Sequence, residues 1–351
     1  MVAVETVIDG YRADLAPTWA EDWRFSAWAA DRQAPGSDIL CFGDSLVKYG
    51  VLPRVIESRD GLTGYNLATS GGTMPSAFFL FQRSLAAGAR PKAVVVDFAP
   101  LMLESAGPVA IQNYAELATV ADCVDLARTA GDPQFLAKSL MAKVLPSYAW
   151  RFDVRRLVMA RLAGGSDSKR YSGASHRLRW EFDRGAQPTQ PGRSRHESED
   201  YLLDGVSPAS WTIAPRDDAY LDRFVGLAQS RGIPVYWLIP PLVPEAHARR
   251  ALRGADDAYD RLVRSKLARF SNIVVLDARR SGYDDSAHVD HLHLDREGAT
   301  VLSGDIAAVL GERLRGRGGV ESWVSLPPYH ASAVPNAAAA ALATKRGPTV
   351  R

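Results

Sequence analysis

Asp38-Ile-Leu-Cys-Phe-Gly-Asp-Ser-Leu46 decides how the rest of the chain is read. Ile39 to Phe42 is short and wholly apolar, the pattern of a parallel strand buried on both faces, and Gly43 ends it. Asp44 and Ser45 are good N-cap residues, so a helix is expected immediately afterwards. A strand that turns straight into a helix is the opening unit of an α/β sheet. Further along, Tyr65-Asn-Leu67, Ala93-Val-Val-Val-Asp97, Ile233-Pro-Val-Tyr-Trp-Leu-Ile239 and Asn272-Ile-Val-Val-Leu276 read as four more strands. The last two each follow a helical stretch, Asp217 to Ser230 and Asp256 to Phe270. This alternation implies right-handed crossovers and a parallel sheet. The expectation is a five-stranded doubly wound sheet whose last helix is capped by Asp295 and runs through Ala299, Leu302, Ile306 and Leu310.

Outside that frame the pattern changes. Tyr11, Leu15, Trp19, Trp23, Phe25 and Trp28 recur at loosely helical spacing, so residues 1–35 read as a helical extension laid on a main domain of residues 36–320. From about 104 to 215 the strand–helix alternation breaks. Asn113 to Ala163 reads as two or three helices and Gly164 to Pro215 is rich in Ser, Arg, Gly and Pro, together a mainly helical insertion in one domain. Within it, Arg184 to Asp200 reads as mobile. Residues 321–351, with an alanine run and a basic end, read as a disordered tail.

Bulk properties exclude several classes. The 351 residues are 46% apolar and 23% charged, the profile of a globular chain able to bury a full core. A net charge of +2 is too mild for a nucleic-acid partner. Cys41 and Cys123 are the only cysteines, too few for a disulfide framework or a cysteine-based zinc site. The first residues lack the basic and apolar regions of a secretory signal, and no run approaches the roughly 18 apolar residues of a membrane span. The default expectation is therefore a cytoplasmic protein without an integral membrane segment.

Two short motifs carry chemistry. In Gly43-Asp44-Ser45-Leu46, the serine stands at the carboxyl end of a strand and the start of a helix, where free N–H groups and the helix dipole favour developing negative charge. In Asp290-His-Leu-His293, an Asp three residues ahead of a His can orient one imidazole nitrogen and leave the other free to take a hydroxyl proton. Either motif alone is more often only a capping turn. In motif, order and placement, however, the pair resembles the SGNH, or GDSL, hydrolase family. Asn66-Leu-Ala-Thr-Ser-Gly71 after the second strand and Asp290 to Ala299 at the last helix resemble further blocks of it.

The resemblance implies a flavodoxin-like three-layer α/β sandwich with a five-stranded parallel sheet, and a serine esterase or acyltransferase without metal or cofactor. It implies Ser45 as nucleophile, His293 as base and acid, Asp290 as the group that holds the imidazole, and the amides of Ser45 and Gly71 as oxyanion donors. The substrate would be a small-molecule or carbohydrate ester. One block departs: Leu101 falls where the family places an oxyanion asparagine, and a lost donor costs roughly two to three orders of magnitude in rate. Asn113 is a candidate substitute. Similar departures occur in GDSL-like proteins that transfer or remove acetyl groups on bacterial polysaccharides, so O-acetyl transfer is an alternative. So is a catalytically decayed carbohydrate-binding protein, for which Phe78, Phe79, Trp211 and Trp237 are available, although such residues more often belong to the core. His288, Asp290, His291 and His293 crowd with Asp284, Asp285 and Asp295, but in the reverse of the order usual in metallo-hydrolases. His288 and His291 are expected to face solvent or to surround the dyad. Lys48 and Tyr49 read as surface and packing residues near the cleft mouth, and Asp97 as a structural hydrogen-bonding group.

Overall fold

The computed structural model describes residues 5–6, 18–103, 111–162, 173–189 and 211–330. From Thr18 onward the described residues form α1 (Thr18–Arg32), β1 (Ile39–Phe42), α2 (Ser45–Gly50), α3 (Pro53–Asp60), β2 (Gly64–Asn66), α4 (Met74–Ala86), β3 (Ala93–Val96) and α5 (Pro100–Leu103). The insertion contributes α6 (Ile111–Leu117), α7 (Val120–Ala130), α8 (Pro133–Val144), α9 (Pro146–Ala149), α10 (Arg151–Leu162) and α11 (Gly173–Phe182). Then follow α12 (Pro215–Ser230), β4 (Val235–Ile239), α13 (Pro244–Leu252), α14 (Ala255–Arg269), β5 (Ile273–Asp277), α15 (Arg296–Leu314) and β6 (Trp323–Ser325).

All six strands pair in parallel, in the order β2-β1-β3-β4-β5-β6. The strands alternate between two cores. Leu40, Phe42, Val94, Val96, Val235, Trp237 and Val275 enter one, with residues of α1, α4, α12 and α14. Ile39, Cys41, Ala93, Val95, Tyr236, Leu238 and Leu276 enter the other, with residues of α3 and α15. A sheet buried on both faces explains why its strands are apolar without a polar alternation, and the arrangement is compatible with a three-layer α/β architecture. Aromatic edge-to-face contacts lock the first core, with Phe42 5.4 Å from Phe81 and Phe98 4.6 Å from Trp237. Such pairs contribute about 0.5–1.5 kcal/mol each beyond the area they bury.

The order 2-1-3-4-5 fixes where a site belongs. Winding starts at β1, moves outward to β2, then reverses to β3 on the other side. Connections leaving the carboxyl ends of β1 and β3 therefore diverge, and ligands of open α/β sheets bind in the crevice so formed.

Three expectations are corrected. The sheet has six strands rather than five: β6 lies inside the segment read as a tail and pairs with β5 from Val275–Trp323 to Asp277–Ser325. Its Trp323 Nε1 donates to Asp277 Oδ2 at 3.2 Å; residues 331–351 lie outside the described set. The insertion carries more helices than two or three. The start of the stretch read as mobile is tied down: Asn66 donates its N–H to Arg184 O at 2.9 Å, Gln187 N–H to Lys48 O at 2.9 Å, and Arg296 N–H to Thr189 O at 2.8 Å. Residues 190–200 of that stretch lie outside the described set. Among the described residues no helix is long and apolar enough to cross a membrane.

Candidate active site

Ser45 opens α2 at the carboxyl end of β1. The turn into it is sharp: Gly43 has φ +137°, and a Cβ there would lie 1.6 Å from Asp97 Oδ1, so only glycine fits. Asp44 is extended and caps α2, accepting the Leu46 N–H at 2.7 Å. Being at the first helical position, Ser45 has no acceptor for its own N–H among the described residues, and that amide stays available to an anion.

His293 reaches Ser45 from a loop between β5 and α15. The loop is cross-tied: Val289 donates to His293 O at 2.9 Å and Asp295 donates to Ala287 O at 2.9 Å. Asp290 Oδ1 accepts the N–H groups of Leu292 at 2.8 Å and His293 at 2.7 Å, which closes a tight turn. Asp290 Oδ2 lies 2.7 Å from His293 Nδ1, and His293 Nε2 lies 2.8 Å from Ser45 Oγ. Burial raises the Asp290 carboxyl, but the His293 hydrogen bond and charge and the two backbone donors outweigh it, leaving the group below its ordinary value. An ionised Asp290 fixes the proton on Nδ1, so Nε2 accepts from the Ser45 hydroxyl.

A second turn, Thr69 to Gly72, adjoins the serine loop. Thr69 donates to Gly43 O at 3.2 Å and Gly72 to Thr69 O at 2.9 Å. Gly71 is exposed in the left-handed region, φ +65°, and its N–H has no acceptor among the described residues. Fully buried Asn66 ties this turn to α2: Nδ2 donates to Val47 O and Val51 O, both at 2.9 Å, while Oδ1 accepts from Ala68 at 3.0 Å. Asp22 of α1 accepts the Ser70 N–H at 2.7 Å, Trp23 Nε1 donates to Ser70 O at 2.9 Å, and Tyr49 OH lies 3.0 Å from Ser70 Oγ.

Lys48 is therefore not a surface residue, whereas Tyr49 is half-buried. Lys48 is 0% exposed and pairs with Asp22 at 2.6 Å, its ammonium 5.6 Å from the centre of the Trp180 ring. The Tyr49 ring meets the His293 ring edge-on at 5.0 Å. Sequence reasoning missed Asp22 altogether. Its one signal was an acid inside an aromatic-rich helical stretch, where an unpaired charge is costly.

The remaining expectations divide. Asp97 hydrogen-bonds to the serine loop, its Oδ1 accepting the Asp44 N–H at 3.2 Å, and is wholly buried. Leu101 falls in α5; its side chain lies outside the described set. Asn113 is buried on α6, with Oδ1 meeting no donor among the described residues. Its neighbour Tyr114 places a hydroxyl 2.5 Å from Thr73 Oγ1, which brings α6 to the Gly71 turn. His288 and His291 are buried rather than solvent-facing, and burial lowers the proton affinity of His288, whose Nδ1 is 2.8 Å from Asp284 O. Phe79, Trp211 and Trp237 are core residues; Trp237 Nε1 donates to Tyr259 OH at 2.8 Å. Among the described residues no three His, Cys, Asp or Glu side chains gather to hold a metal ion. No protein-family model matches the chain, and no curated protein sequence matches it.

Proposed function

We propose that this chain is a serine-dependent ester hydrolase of the SGNH, or GDSL, type, acting on a small-molecule or carbohydrate ester such as an O-acetyl group. The observation that carries the reading is the unbroken hydrogen-bonded series Ser45 Oγ, His293, Asp290, at 2.8 and 2.7 Å, beside the point where the sheet reverses its winding. These three side chains come from two loops far apart in sequence, and a capping turn at either loop alone does not require them to meet.

In this reading Ser45 Oγ attacks the ester carbonyl carbon while His293 Nε2 takes its proton. The charge that develops on the imidazole is held by Asp290 through Nδ1. The carbonyl oxygen, now an oxyanion, takes hydrogen bonds from the free N–H groups of Ser45 and Gly71, with the positive end of α2 behind it. Collapse expels the alcohol, which leaves with the proton from Nε2, and the acyl group stays on Ser45. Water then attacks the acyl carbon, giving its proton to Nε2; that proton returns to Ser45 Oγ as the acid departs.

A fluorophosphonate probe tests the reading. The expected result is one adduct, mapped to Ser45 by peptide mass spectrometry, and lost in Ser45→Ala and His293→Ala. Acetyl-ester hydrolysis should fall by at least about 10⁴-fold in either variant, and no further in the double variant, because the two act as a unit. Labelling that persists in His293→Ala, or none at Ser45, would sink it.

A further inference from the structure

Asp97 follows β3 directly and is 0% exposed. Its Oδ1 accepts the Asp44 N–H and fills the space above the Gly43 α-carbon. Its Oδ2 meets no N–H or hydroxyl donor among the described residues. The Asp97 carboxyl group as a whole lies within hydrogen-bond reach of the Asp44 side chain, beside the Asp44 N–H that it already accepts. Asp44 is buried too, with one oxygen committed to the Leu46 N–H. Two ionised carboxylates in contact, both out of water, repel; one proton between them turns that contact into a hydrogen bond. Burial, then the charge of Asp44, pushes the Asp97 carboxyl well above the ordinary carboxylate range, while burial also raises Asp44. The bond from Asp97 and the Leu46 N–H draw Asp44 the other way, favouring its charged form, so the proton belongs on Asp97 and the charge on Asp44.

We propose that Asp97 and Asp44 share a single proton, and that by this bond and its grip on the Gly43–Asp44 turn Asp97 is a positioning residue for Ser45. The catalytic consequence rests on the esterase reading; the shared proton does not. The Gly43-Asp44-Ser45 turn is thus shaped from below. Asp97 takes the room a side chain at 43 would need, keeps Asp44 turned inward as the cap of α2, and so aims the Ser45 hydroxyl at His293.

Infrared spectroscopy of the full-length protein at neutral pH reads the proton directly. A protonated buried carboxyl band is expected in the wild type and should vanish in Asp97→Asn. Asparagine still accepts the Asp44 N–H and still donates toward the Asp44 carboxyl, so kcat per titrated active site should stay within about threefold. Asp97→Leu removes both bonds and should lower kcat per titrated site by about tenfold or more, the loss of one hydrogen bond to a charged group, with KM unchanged. The His293 ring NMR signals, which follow the Ser45 contact without turnover, should move in Asp97→Leu and not in Asp97→Asn. Absence of the band overturns the shared proton, whatever the activity. Unmoved His293 signals in both variants, or an Asp97→Asn as defective as Asp97→Leu, overturn the positioning role. If the wild type shows the band but neither hydrolyses esters nor labels at Ser45, the esterase reading fails while the shared proton stands.

Discussion

Asp290, in the loop that carries His293, and Asp97, directly after β3, both lie at the carboxyl edge of the sheet, yet they are kept there by opposite means. Asp290 is surrounded by donors: two backbone N–H groups on one oxygen and the imidazole on the other, which hold it ionised in spite of burial. Asp97 has one backbone N–H and a second carboxyl for company, and burial drives it towards its neutral form. The serine loop also leans on a third acid, Asp22, kept beside the fully buried ammonium of Lys48. The difference teaches that depth and donor supply together decide whether a carboxyl near this site carries charge: Asp290 is half-buried among several donors, Asp97 fully buried with one. Asp290 has the role that needs a permanent charge, and it receives the donors.

Three substitutions test that contrast. Asp290→Asn should have the largest effect, a fall in kcat of about 10³- to 10⁴-fold in ester hydrolysis, because an amide no longer selects the Nδ1–H tautomer. Near-normal turnover in this variant would break the contrast at its donor-rich end. The same group predicts a pH effect. Its native value lies below the ordinary 3.8, so the stability it contributes is complete above that value and is lost as pH falls through the lower native one. Acid unfolding of Asp290→Asn, followed by circular dichroism, should therefore be shallower there.

Asp22→Ala should come next. It strands the Lys48 ammonium in a wall that includes Trp180 and should cost about 3–5 kcal/mol in urea unfolding. A loss under about 1 kcal/mol would mean that the pair is not buried in solution. Asp305→Asn is the smallest effect and has the opposite sign. Asp305, half-buried on α15, is raised by burial to about 6, with Arg59 and His330 only partly offsetting it. Wild-type stability should thus fall as pH climbs from the ordinary 3.8 to about 6 and level off above. The variant lacks that fall, so its thermal midpoint should exceed the wild type's above pH 6 and match it below about 4. After solvent screening the gain should be about 1 kcal/mol or less. An equal gain at every pH would point to something other than charge.

How much of this was legible beforehand follows from where the information resides. Of the five strands read from the sequence, β1, β3, β4 and β5 are mainly runs of buried apolar residues whose composition announces them, whereas β2 is only Gly-Tyr-Asn. β6 is Trp-Val-Ser, too short to announce anything, and is a strand because Val275 to Asp277 pair with it. Ser45, Asp290 and His293 were legible because each stands in a short motif whose local geometry is nearly self-contained. Asp22 and Lys48 were not, since a buried charge is tolerable only with its partner, and the partner is brought up by folding. Tyr49 was half legible: four residues after Ser45, it shares a helix face with it, but its contact with His293 joins α2 to a loop distant in sequence. The fate of the Arg184 to Thr189 stretch was likewise tertiary, its backbone groups bonding to Asn66, Lys48 and Arg296.

That last stretch has a consequence for how molecules of this protein meet one another. An outer strand normally offers a row of peptide groups onto which another chain can add, the first step towards sheet-to-sheet aggregation. At the β2 margin the Asn66 amide is already taken by the chain's own Arg184 carbonyl, and at the other margin β6 is only three residues long. Both margins are blunted in ways natural sheets use against edge-to-edge growth. The insertion that reads as an interruption of the α/β pattern thereby returns to shield one end of the sheet it interrupted.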